Sequence, residues 1–184
     1  MKPITSTQKP PISNAGFTLT EILVVALIFS LIVIIFSSTF LSSSWLQKKA
    51  FNIQQVVENA SYVLESMAKE IRVSKISGPD TNCPSSPAGS LTIDHPVNGR
   101  ITYSLSGGAV HRSVKVQDSS VDSIISSDNV EFTRLQFCIL GTAIGDGKQP
   151  RVIIQASITS KSAIQPSRID IQTAVSQRFL TDQY

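Results

Sequence analysis

The stretch from Phe17 to Leu46 contains one formal charge, Glu21, and neither proline nor glycine. Roughly 30 residues without a breaker make a helix long enough to cross a hydrocarbon core about 30 Å thick. No other feature limits the fold so strongly, because a helix apolar on every side needs lipid or other helices around it. Trp45, followed by Lys48 and Lys49, supplies aromatic and cationic interface residues at the far end. Glu21 is the anomaly. A carboxylate at bilayer depth costs at least about 2.5 kcal/mol on insertion scales, so an ionisable residue there marks a function.

Residues 1–16, MKPITSTQKPPISNAG, hold three prolines, two lysines and no acid, and read as an unstructured, positively flanked leader. A secretory signal peptide has an apolar stretch of about 7 to 15 residues followed by a small-residue cleavage site. Here the stretch is longer, and the small pair Ala15-Gly16 precedes it. A cut at that place removes the cationic leader and keeps the apolar helix, residues 17–46.

The helical pattern continues beyond it. Leu46, Ala50, Ile53, Val57, Ala60, Leu64, Met67 and Ile71 step alternately by four and three, with polar residues mostly between them. One apolar stripe predicts an amphipathic helix over residues 47–77, ended by Ser77-Gly78-Pro79. Residues 78–184 change character. SLTID, RITYSLS and AVHRSVKV read as strands, the last two joined at Gly107-Gly108 in a tight hairpin. QDSSVDSIISSDN reads as a polar loop with a short helical turn. VEFTRLQFCILG alternates at Val130 and Phe132, then shifts phase to Leu135, Phe137 and Ile139, which predicts a bulge near Thr133-Arg134. RVIIQASITS and RIDIQTAVSQRFL complete an antiparallel meander. The expected fold is α+β: a long N-terminal helix, membrane-spanning and then amphipathic, packed on an antiparallel β-sheet head.

The net charge of +3 is scattered, so nucleic acid is not an indicated partner. Cys83 and Cys138 have no CxxC and no nearby histidine to complete a zinc set. Either they are buried free thiols, or they pair in an oxidising compartment, which is worth about 4 kcal/mol for such a loop.

No catalytic constellation stands out, and no cofactor or metal is indicated. His95 and His111 have no Asp or Glu at a ligand-like spacing and read as solvated or turn-supporting. There is no GxSxG. Gly141 to Gln149 resembles a phosphate loop only loosely: the spacing is too long, Gln149 stands where Ser or Thr would bind magnesium, and no helix follows. Asp146 alone is too few carboxylates for calcium. Asn59-Ala60-Ser61 has the form of a glycosylation sequon but falls within the amphipathic helix.

Gly16-Phe17-Thr18-Leu19-Thr20-Glu21, with a cationic leader ahead and an apolar helix behind, resembles the class III signal of type IV pilins and pseudopilins. The resemblance implies cleavage by prepilin peptidase after Gly16 and N-methylation of Phe17. Glu21 then becomes the fifth residue of the mature chain, where the family has its assembly glutamate. Thr20 departs from the more usual apolar residue. In an assembling filament the Glu21 carboxylate of one subunit meets the Phe17 amine of its neighbour. Leaving either unpaired is costly, so the pair sets the axial register. The tyrosine strand, glycine turn and arginine strand of ITYSLSGGAVHRSV, with the later strands, resemble the head of J-type minor pseudopilins and related minor pilins. The helix without proline and the position of Cys138 separate the chain from major pilins. The implied partners are prepilin peptidase, other pilin or pseudopilin subunits, the inner-membrane assembly platform, and membrane lipid before assembly. The implied location is a single-pass membrane protein with its C-terminal head outside the cytoplasm. The rival reading is a single-pass, membrane-anchored binding module in which Glu21 is incidental.

Overall fold

The computed structural model describes residues 16–116, 119–143, 147–162 and 166–178. One helix, α1 (Leu19–Val73), leads into β1 (Lys75–Ser77), β2 (Ser90–His95), β3 (Gly99–Ser106), β4 (Ala109–Val116) and β5 (Ser119–Ile124). Three longer strands follow: β6 (Val130–Leu140), β7 (Arg151–Ser160) and β8 (Arg168–Ser176). The strands pair in sequence order, β1 to β5 in one sheet and β6 to β8 in another, and every pairing is antiparallel. This is the α+β, pilin-like arrangement: one long N-terminal helix packed against antiparallel strands. The contacts divide the chain into two compact units, parted between Leu46 and Gln47.

In the first unit, α1 has a window of mean hydropathy 2.9 with none of it buried. It is long and apolar enough to cross a membrane. Four of its hydroxyls are satisfied internally. Ser30 donates to the Leu27 carbonyl (2.7 Å), Ser38 and Thr39 to that of Ile35 (2.8 and 3.1 Å), and Ser42 to that of Ser38 (3.0 Å). A hydroxyl so occupied carries little desolvation penalty into an apolar medium.

In the second unit, α1 buries Val56, Ala60, Val63, Leu64, Met67 and Ile71. The expected stripe is right from Ala60 onward. At its start it is corrected: Leu46, Ala50, Ile53 and Val57 are exposed, and Val56 and Val63 take the inward positions. Each fully buried large side chain contributes about 1.5–3 kcal/mol. Beneath the helix the first sheet presents two rows of directly paired residues. One runs Ile76, Ile93, Ile101, Val114, Val121, and the other Leu91, Tyr103, Arg112, Ser123. The second sheet adds Phe132, Phe137, Ile154 and Ile158 to the same core.

Two expectations about element ends are also corrected. The helix stops at Val73, not Ser77, because Ser74 folds back on it. Its hydroxyl donates to the Glu70 carbonyl (2.6 Å) and its amide to that of Ile71 (3.3 Å), while Lys75–Ser77 pair with β2. The polar segment after β4 contains a strand, β5, with all six residues exposed. The hairpin turn is as expected: Gly107 and Gly108 both have positive φ, 58° and 77°. The register shift falls between Phe132 and Arg134. The glycine-rich segment after β6 joins it to β7, and Asp146 lies outside the described residues, as do Ala15 and the leader before it.

Candidate assembly end of the helix and the glutamate clamp of the head

At the start of α1, Gly16, Phe17 and Thr18 are non-helical and exposed, Phe17 by 77%. Thr18 is the N-cap: the Glu21 amide donates to Thr18 Oγ1 (3.3 Å), and the Ile22 amide donates to the Thr18 carbonyl (3.2 Å). Thr18 and Glu21 thus stand in the T-x-x-E spacing of a capping box, with the acid in the first turn, where the helix dipole favours it. The sequence reading missed this local role, although the spacing shows it. Thr20 Oγ1 lies 3.1 Å from Thr18 Oγ1, which gives the residue that departs from the pilin pattern a partner at the cap. No ion pair forms at Glu21 among the described residues.

A second glutamate, on the same helix but within the second unit, has a different setting. Glu70 Oε1 accepts from Arg112 Nη2 (2.7 Å), and Oε2 accepts from Arg112 Nε (3.0 Å) and from the Tyr103 hydroxyl. Tyr103 and Arg112 are direct cross-strand partners, so β3 and β4 deliver both donors to one carboxylate. Tyr103 is fully buried, and the Glu70 and Arg112 side chains are each about one-fifth exposed. Burial pushes the Glu70 carboxyl up. The Arg112 and Tyr103 hydrogen bonds and the Arg112 charge outweigh it and hold the group below its usual range. Burial, reinforced by Glu70, pushes the Tyr103 phenol well up. The result is an ionised, fully engaged carboxylate that clips the helix to the sheet. It is not free to act as a base.

Several other polar groups of the head are also occupied. His95 Nδ1 accepts from the Val97 and Asn98 amides (3.1 Å each), which makes it turn-supporting. His111 does have an acidic partner, contrary to the spacing argument: its Nδ1 lies 2.7 Å from Asp122 Oδ2, because β5 brings Asp122 beside β4. A hydrogen bond from Arg100 outweighs burial and holds Asp94 low. The Thr142 and Gly141 amides do the same for Asp80. Among the described residues no group of three His, Cys, Asp or Glu side chains is placed to hold a metal ion. Asn59 is packed, its Oδ1 accepting from the Ser127 amide (3.1 Å). Cys83 and Cys138 are joined in a disulfide, with Cα atoms 5.9 Å apart.

No protein-family model matches this chain, and neither a characterised protein nor a solved structure does. The pilin-like description rests on the chain's own residues and architecture.

Proposed function

We propose that the chain is a minor pilin or pseudopilin, a structural subunit of a type IV pilus or type II secretion pseudopilus. On this reading prepilin peptidase cuts after Gly16, Phe17 is N-methylated, and Glu21 pairs with the new ammonium of a neighbouring subunit. The J-type minor pseudopilins are the subgroup favoured, through the Tyr103 strand, the Gly107-Gly108 turn and the Arg112 strand. Partners would be the peptidase, the assembly platform, and other subunits meeting the apolar part of α1.

One observation carries the reading: a glycine-phenylalanine junction lies exposed one residue before the helix cap, and Glu21 opens a helix whose apolar window is entirely unburied. Such a surface moves from lipid to a helix-packed core without facing water. The test is intact mass and N-terminal sequence after co-expression with a prepilin peptidase. A product beginning at methylated Phe17 is expected. A chain still beginning at Met1 beside an active peptidase would overturn the proposal.

The Thr18–Glu21 cap favours a second reading, a single-pass anchored binding module, because it accounts for Glu21 without any assembly.

A further inference from the structure

Residues 78–89 connect β1 to β2 of the first sheet, yet they lie along β6 of the second. Near one end, the Thr81 amide donates to the Ile139 carbonyl (2.8 Å), and the Ile139 amide donates to Thr81 Oγ1 (2.8 Å). The Asp80 carboxylate accepts from the Gly141 and Thr142 amides (2.9 and 2.7 Å). Near the other end, Ala88 and Phe137 exchange amide-to-carbonyl bonds of 2.8 and 2.9 Å. β6 is the outer strand of its sheet, so this segment covers a row of backbone groups that would otherwise be open.

Between the two anchorages the segment turns on itself. The Cys83 amide donates to Thr81 (3.1 Å) and the Ser86 amide to Asn82 (2.6 Å), and Pro84 and Pro87 have no amide to give. Among the described residues no hydrogen bond ties 82–87 to β6. What fastens that stretch is the Cys83–Cys138 disulfide.

We propose that residues 78–89 form a redox-releasable strap, sealed over the β6 edge by the Cys83–Cys138 bond and lifted from it when a dithiol reduces that bond. Cys138 is 4% exposed and Cys83 is only half-buried, so a thiolate of the reagent attacks the Cys83 sulfur. The Cys138 sulfur leaves and takes up a proton. The reagent's second thiolate then attacks its own sulfur in the mixed disulfide and releases Cys83. Two electrons pass from the dithiol to the cystine, the dithiol becomes a cyclic disulfide, and its two protons end on Cys83 and Cys138. In an oxidising compartment the edge is sealed, and in a reducing one it becomes a template for strand addition. The inference stands apart from the assembly reading.

Hydrogen exchange of the full chain in detergent micelles, with and without dithiothreitol, tests it. On reduction, the amides of Thr81, Cys83, Ser86, Ala88, Phe137 and Ile139 should exchange at least tenfold faster, with the β3–β4 hairpin unchanged. A Cys83→Ser/Cys138→Ser variant should show the same pattern without reductant. Unchanged exchange in the strap, with full reduction verified by alkylation mass, would overturn the proposal. So would alkylation of both cysteines before reductant is added. An equal rise in strap and hairpin would also overturn it, because the bond would then brace the whole head.

Discussion

The stretch of α1 up to Leu46 carries one acid, Glu21, and the stretch from Gln47 carries three, of which Glu70 alone is partly buried; Glu21 and Glu70 fare differently. Glu70 has a bidentate guanidinium and a phenol delivered by two paired strands. Glu21 has a capped helix end and, among the described residues, no cation. The surrounding surfaces differ in the same way: six residues of the later stretch are buried against strands, whereas the apolar window of the earlier one is not buried at all. A charge in an apolar region has to be matched from within the chain or from outside it. The head does the first. In the first stretch the described residues give Glu21 only the Thr18 cap, and the proposed assembly would supply the match from outside.

The sharpest way to break this comparison is Glu21→Gln. Glutamine serves a capping box as well as glutamate does, but it carries no charge. If Glu21 sets register, the variant should be processed normally yet be lost from sheared filaments, an all-or-none effect read by immunoblot. Normal incorporation would reduce Glu21 to a cap. Next comes Glu70→Ala, which strands the Arg112 charge in a poorly solvated site. About 2–3 kcal/mol of head stability should be lost, a thermal midpoint lower by roughly 6–10 °C.

The same clamp has a pH signature. Its carboxyl is depressed in the folded state, so its stabilisation is complete above the ordinary glutamate value of 4.5 and is lost as pH falls through the lower folded value. Comparing thermal midpoints of wild type and Glu70→Gln from neutral pH downward should show a gap that closes below about pH 4.5, with the other carboxylates cancelling in the difference. The smallest effect belongs to Thr18→Ala. It should fray the first turn by about 1 kcal/mol, visible in amide exchange at Glu21, while filament incorporation persists. Equal loss of incorporation in Thr18→Ala would break the comparison, because removing the cap alone would then block assembly while the Glu21 charge is intact.

Much of the head was legible because its strands alternate. Tyr103 and Arg112 stood out on either side of the Gly107-Gly108 turn, and the phase change after Phe132 marked the bulge. β5 was not legible. As an edge strand with every residue exposed, SSVDSI has no buried face to impose a period of two. Glu70 was missed for a different reason. It follows Val63 and Met67 at helical spacing on the buried face, where a polar letter looks like a break in the stripe, and its partners lie on strands far along the chain. A charged residue in such a stripe, facing an arginine set between Val110 and Val114, is a readable pair once both faces are assigned. The disulfide stayed open because spacing alone cannot place two sulfurs within bonding distance. The first unit was legible almost entirely from composition.

Beyond β8 the chain returns to where the helix ends. The Arg178 amide donates to the Arg72 carbonyl (2.9 Å), and the Gln177 side chain accepts from the Ile76 amide (3.0 Å) across a sequence separation of 101. Both bonds are made by residues that leave the ribosome after every strand they help to seat. Closing so long a loop costs chain entropy before any contact compensates for it. The head is therefore closed by its longest-range contacts: the last turn of its helix and β1 are held by the residues that follow the last strand.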